Sequence, residues 1–105
     1  MTERWVYVTF ANEEQASTIA RHLVTERLAA CANVLGSVRS FYWWEGAVQD
    51  DCECAAVFKT TDSALTRFTE RVLELHTYAV PCVVALPIAG GNPDFLRWVR
   101  EQTAG

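Results

Sequence analysis

Three consecutive residues, Cys52-Glu53-Cys54, carry the densest chemistry in the chain. On a strand, side chains two apart project to one face, so both thiols point together while Glu53 points to the other side. Two thiolates make half of a site for a soft metal ion; a closed site needs more donors, and the spacing is not the CxxC of a zinc knuckle. The competing reading is packing, because free cysteine is among the most buried residue types. Cys31 and Cys82 stand in apolar stretches where packing alone also explains a cysteine. Glu45, Asp50, Asp51 and Glu53 form an acidic rim that either offers oxygen ligands to a hard cation or simply solvates a turn. His76 and Tyr78 flank the end of a helical stretch. An imidazole there complements the helix dipole when protonated and ligates metals when neutral. Lys59 closes a β-prone run and either snorkels to the surface or holds an anion in a cleft.

No nucleophile–base–acid set, Walker loop, GxGxxG or HExxH motif is present, and Gly90-Gly91 is too isolated to cradle a phosphate. With no general acid and base to assign, the residues do not indicate an enzyme, and no cofactor is required. A net charge of -4 with basic residues scattered among acidic ones leaves no electrostatic footprint for nucleic acid. No apolar run reaches the roughly 20 residues of a membrane span. The opening Thr2-Glu3-Arg4 does not read as a signal peptide. The expectation is a cytoplasmic protein with no membrane partner, its four cysteines reduced rather than bridged.

The elements that must position these residues follow from periodicity. The 105 residues, 50% hydrophobic and 21% charged, suit one folded domain spanning 1–105. Trp5 to Phe10 reads as a first strand. Asn12 is an N-cap acceptor with Gln15 three residues on, and Ala16, Ile19, Ala20 and Leu23 give the helix that follows one buried face. His22 beside that stripe reads as a surface histidine. Leu28 to Trp44 and Ala47 to Lys59 are the arms of a hairpin around Glu45-Gly46, with a bulge expected at Gly36. Leu65, Phe68, Val72 and Leu75 mark a second helix, started within Thr60 to Ser63. Cys82 to Ile88 is a continuous apolar run fit for a buried strand. Asn92-Pro93 starts a short last helix. The order βαββαβ plus a C-terminal helix is an α+β, ferredoxin-like arrangement.

The hairpin is too long for two helices to cover. Its aromatic surface, Phe41 to Trp44, must stay exposed or lie against another copy of the chain. The expected protein is therefore an oligomer with its function where subunits meet.

The blocks Arg27-Leu28-Ala29-Ala30-Cys31-Ala32-Asn33, Tyr42-Trp43-Trp44-Glu45-Gly46, Ala85-Leu86-Pro87-Ile88 and Gly91-Asn92-Pro93-Asp94, in order and across nearly the whole chain, resemble the CutA divalent-cation tolerance family. That resemblance implies a homotrimer whose sheets pair about a threefold axis, a role in the response to metal ions, copper or zinc among the ions bound, and no established reaction. It places metal or small-ligand binding in inter-subunit clefts. The residues expected there are Cys31, Glu53 and His76, with Cys52 and Cys54 as further thiols and Trp44, Lys59 and Tyr78 as walls and anion holder. The alternative is a rigid trimeric scaffold for a protein partner or small ligand, with no metal role. The family's usual His-Pro-Tyr-Glu-Val-Pro-Glu reads His76-Thr77-Tyr78-Ala79-Val80-Pro81-Cys82 here, and Val8 and Leu75 stand where some members carry a cysteine and a second histidine. Two carboxylates are lost there and one thiol gained, and on the return arm the usual Ser-Glu-Val has become Cys52-Glu53-Cys54, which moves the expected ion from hard towards soft.

Overall fold

The computed structural model describes residues 2–103. The elements are β1 (Glu3–Phe10), α1 (Glu13–Thr25), β2 (Cys31–Trp44), β3 (Ala47–Thr61), α2 (Asp62–Leu75), β4 (Val83–Pro87) and α3 (Pro93–Gln102). The strands form one antiparallel sheet in the order β2-β3-β1-β4. This is the expected α+β, ferredoxin-like order.

Alternation along the strands sorts the sheet into two faces. Val6, Val8 and Phe10 of β1 and Cys54, Ala56 and Phe58 of β3 point towards the helices and join Ile19, Leu23, Phe68 and Val72 in the core. Phe58 meets Phe68 edge to face, with ring centroids 5.1 Å apart. The opposite face carries Trp5, Tyr7, Val84 and Leu86. Helix α3 meets this face at the Glu3–Thr61 end, where Arg100 pairs with Glu3 and Thr103 donates to Thr61, while Val84 and Leu86 stay about half exposed. The buried strand expected at Cys82 to Ile88 is thus an edge strand, shorter than expected, with one face open. A continuous apolar run promises two covered faces, but this chain supplies helices for only one.

All three expected helix starts are present, though Thr61, the N-cap of α2, makes no side-chain cap bond. Asn12 Oδ1 accepts from the Gln15 N–H at 2.8 Å, while Gln15 Oε1 accepts from the Ala11 N–H at 2.9 Å. Asn92 Oδ1 accepts from the Asp94 N–H at 3.0 Å behind Pro93 at the first turn. Helix α1 ends in a Schellman motif: the Leu28 N–H reaches the Leu23 carbonyl and the Arg27 N–H the Val24 carbonyl. Leu28 therefore terminates the helix instead of opening the hairpin, and β2 begins three residues later at Cys31.

The hairpin governs the molecule's shape. Strand β1 pairs with β3 from Glu3↔Thr61 to Phe10↔Cys54, so the seven residues from Ala47 to Glu53 have only β2 beside them. At about 3.3 Å per residue this free arm projects roughly 23 Å, and the longest axis of the protein is 44 Å. A bulge falls between Val34 and Gly36, where Gly36 takes φ +109°. At the tip Glu45 and Gly46 both have positive φ, 50° and 80°, as a type I′ turn requires. Glu45 bears a Cβ penalty there that asparagine largely escapes. Glu45→Asn is expected to raise stability by about 0.5–1 kcal/mol, read as a higher guanidinium midpoint; an unchanged or lower midpoint would contradict this reading of the turn.

Candidate functional site

Where β1 stops at Phe10, β3 runs on, and the segment from Tyr78 to Cys82 crosses in front of it. Together they enclose a cleft of about 960 Å³ on the open face of the sheet. The register explains its lining. Val38↔Glu53, Ser40↔Asp51 and Tyr42↔Gln49 are opposed pairs on that face, so Asp51 and Glu53 project beside Tyr42. Glu53 Oε2 accepts from the Tyr78 hydroxyl at 2.8 Å, and Asp51 Oδ2 accepts from the Tyr42 hydroxyl. Tyr7, Trp44 and Cys82 complete the walls.

The two carboxylates set the electrostatics. Burial, then the Glu53 hydrogen bond and charge, push the Tyr78 phenol far above the ordinary tyrosine range. The bond to Asp51 raises Tyr42, and burial followed by the Glu53 charge raises the Cys82 thiol. Above pH ~10 an unfolded chain releases its phenolic protons while the folded one retains those of Tyr42 and Tyr78. The unfolded state then binds fewer protons, so stability falls as pH rises beyond that point. An alkaline titration followed by phenolate absorbance is expected to show these two tyrosines ionising late, with Tyr78→Phe flattening the alkaline loss of stability. Ionisation of Tyr42 and Tyr78 in the ordinary range would contradict the cleft geometry.

His76 occupies a different position from the one its sequence context suggests. It is buried at 8% exposure, and its ring stacks on Phe10 with centroids 5.2 Å apart. Nε2 lies 2.8 Å from the Thr9 carbonyl and Nδ1 accepts from the Tyr78 N–H at 3.1 Å. Both ring nitrogens are engaged, so the imidazole has no lone pair to offer a metal. Its work is to clamp the end of β1 to the segment that carries Tyr78. The ring nitrogens bond the Thr9 carbonyl and the Tyr78 N–H rather than a carbonyl of α2, so the helix dipole is not what places the ring.

The thiols are likewise dispersed. Cys52 and Cys54 share a face, as expected, but Cys54 lies beneath the helices at 2% exposure while Cys52 lies on the free arm in solvent. They do not form one accessible pair. Cys31 stands opposite Lys59, whose ammonium donates to the Asn33 side chain. Lys59 lies six positions along β3 from Glu53, about 20 Å away. Within one chain, therefore, Cys31 and Lys59 stand apart from Trp44, Glu53 and Tyr78, and the expected cleft would bring the two groups together only from different subunits. Among the described residues, no group of three or more His, Cys, Asp or Glu side chains comes together to hold a metal ion.

Cys52 lines this cleft with Trp44, Glu53 and Tyr78, and Tyr7, Tyr42, Asp51 and Cys82 are among the lining residues not expected there. Strand parity could have placed Asp51 with Glu53, and the thiol at Cys82 in place of a carboxylate was visible. The meeting of β1, the free arm and the Tyr78–Cys82 segment was not.

A family model described as CutA1 divalent ion tolerance protein matches residues 4–102. The chain belongs to the CutA divalent-ion tolerance family. A divalent-cation tolerance protein CutA from Thermus thermophilus is 50% identical over 101 residues, covering 96% of this chain and 98% of its own. The solved structure of that species' protein superposes with a TM-score of 0.94 over the same shares of the two chains. A structure described as the periplasmic divalent cation tolerance protein CutA from Archaeoglobus fulgidus gives 0.92 at 35% identity, over 96% of this chain and 98% of that one. The chain covers 93% of itself but 55% of a chloroplastic CutA relative from rice, at 46% identity. Family membership confirms the resemblance drawn from the sequence blocks. Among the described residues, no helix is long and apolar enough to cross a membrane.

Proposed function

We propose that the protein is a cytoplasmic homotrimer of the divalent-cation tolerance type that takes divalent or soft metal ions, copper and zinc among them, in clefts completed by neighbouring subunits. The observation that carries this reading is the free arm with the uncovered sheet face behind it. Phe41 and Trp43 are 63% and 74% exposed on that arm, beyond reach of the chain's own helices. The two outer edges of the sheet belong to different strands, β2 and β4. Pairing unlike edges is heterologous, and where the rotation closes such contacts make a ring that removes every free edge.

Family membership supports the metal role. The donor chemistry favours a site that needs more than one subunit: Glu53 and Cys82 line the cleft, and one chain cannot complete a coordination shell there. Four free thiols, Cys31, Cys52, Cys54 and Cys82, support a reducing compartment. The proposed role is binding, without catalysis. Calorimetric titration of the assembled protein with Zn(II), Cd(II), Cu(II) and, under reductant, Cu(I) tests it. Affinity tighter than about millimolar and weakened by Glu53→Gln or Cys82→Ser is expected. Affinity no better than millimolar for every ion would remove the metal role and leave a rigid trimeric scaffold.

A further inference from the structure

Assembly through the open sheet face and the free arm leaves the outer side of helix α1 in solvent. The helix buries Ala16, Ile19, Ala20 and Leu23 against the sheet. On its far side Ser17, Thr18, Arg21, His22 and Thr25 line a shallow hollow of about 420 Å³. Ser17 and Thr18 stand four and three residues before Arg21 and Thr25 four after it, so their hydroxyls are its neighbours on the helix surface. The donors of this hollow are idle. Arg4, Arg39, Arg67, Arg71, Arg97 and Arg100 each pair with a carboxylate. Arg27 and Lys59 donate to amide oxygens of Gln102 and Asn33. Arg21 alone among the described lysines and arginines has no side-chain hydrogen bond or ion pair. Hydroxyls in the other helices are consumed by the preceding turn, Thr69 by the Leu65 carbonyl and Thr103 by the Val99 carbonyl, both at 2.9 Å. Those of Ser17, Thr18 and Thr25 make no hydrogen bond within the protein.

The surrounding acids do not compensate that guanidinium. Glu26, the C-cap of the helix, gives its two oxygens to Arg71 at 2.9 and 3.0 Å, and His22 Nδ1 lies 3.6 Å from it. Glu13 and Glu14 stand about two turns before Arg21, roughly 10–12 Å along the axis, where salt screens them. A carboxylate would engage the guanidinium fork and leave the hydroxyls unused. A phosphoryl group has enough acceptor oxygens to take the fork and the hydroxyls together. We propose that this hollow binds a phosphoryl group, as inorganic phosphate or as a small phosphate monoester, held by the Arg21 guanidinium and the Ser17, Thr18 and Thr25 hydroxyls. The hollow lies across the molecule from the cleft and requires neither a metal nor the trimer.

Amide NMR titrations of the intact, chelator-treated protein test it, with inorganic phosphate, phenyl phosphate and benzoate as probes and sodium chloride at matched ionic strength as the reference. Saturable shifts confined to the amides around Ser17 to Thr25 are expected for a phosphate probe, with a dissociation constant on the order of 1–10 mM. Benzoate should bind at least about fivefold more weakly, because it leaves the hydroxyls unused. Arg21→Gln should weaken phosphate about tenfold or more, and Arg21→Lys, which keeps the charge but loses the fork, about threefold. Ser17→Ala and Thr18→Val should each cost about twofold, and Arg67→Gln on the neighbouring helix nothing. Tighter binding of phenyl phosphate assigns the site to a monoester; tighter binding of inorganic phosphate assigns it to the free ion. Shifts that rise linearly and match those of chloride would mean an adventitious ion only and overturn the proposal. So would benzoate binding as tightly as phosphate, or saturable phosphate binding unmoved by Arg21→Gln.

Discussion

His76→Ala is expected to lower stability by about 3–4 kcal/mol while leaving metal affinity unchanged. The substitution removes the partner of the buried Thr9 carbonyl and of the Tyr78 N–H. An unsatisfied buried polar group costs roughly 1–3 kcal/mol, and the space left against Phe10 adds a large-to-small term. Tyr78 would also lose its anchor, so its bond to Glu53 should loosen and its late ionisation should move towards the ordinary range. Chemical denaturation and metal calorimetry on the same variant decide the matter. A midpoint within about 1 kcal/mol of the parent, together with lost metal binding, would make the imidazole a ligand after all.

The second large effect is expected at the free arm. Phe41 and Trp43, two apart on β2, share the face that the helices would cover if they extended so far. Arg39 spans the same face, its guanidinium 5.1 Å from the Phe41 ring and doubly bonded to Asp50 at 2.8 and 2.9 Å. Large aromatics in a buried contact are the side chains that dominate association, at about 2 kcal/mol or more each. Replacing both by alanine should therefore shift the assembly to dissociation in the micromolar range while each chain keeps its core, since neither residue touches it. Sedimentation at several concentrations reads the effect. An unaltered, concentration-independent mass would show that these aromatics are not contact residues.

Much of the fold was legible because short-range chemistry agreed with the tertiary structure. Asn12 with Gln15, and Asn92 with Pro93, announce helix starts that the structure bears out, and Gly36 announces the bulge. Val84 and Leu86 misled because hydrophobicity says that a face wants cover, not that its own chain provides it. The site was less legible for a related reason. Cys52 and Cys54 read as a pair from strand parity, yet the edge of the helical layer falls between them. Parity fixes a direction, and burial depends on what lies in that direction. His76 was read from its neighbours in sequence, whereas its partners are Thr9, 67 residues away, and Tyr78. The Cys31–Lys59 pair is set by strand register and the Glu53–Tyr78 bond by the path of the segment after α2, and no local pattern discloses either.

The proposed assembly rests on one premise: the sheet face bearing Trp5, Val84 and Leu86, and the arm beyond it, find their cover on sister chains. Multi-angle light scattering of the purified protein at micromolar concentration tests that premise most directly. The account predicts three times the 11.8 kDa mass of one chain. A well-folded species with the mass of a single chain would contradict it.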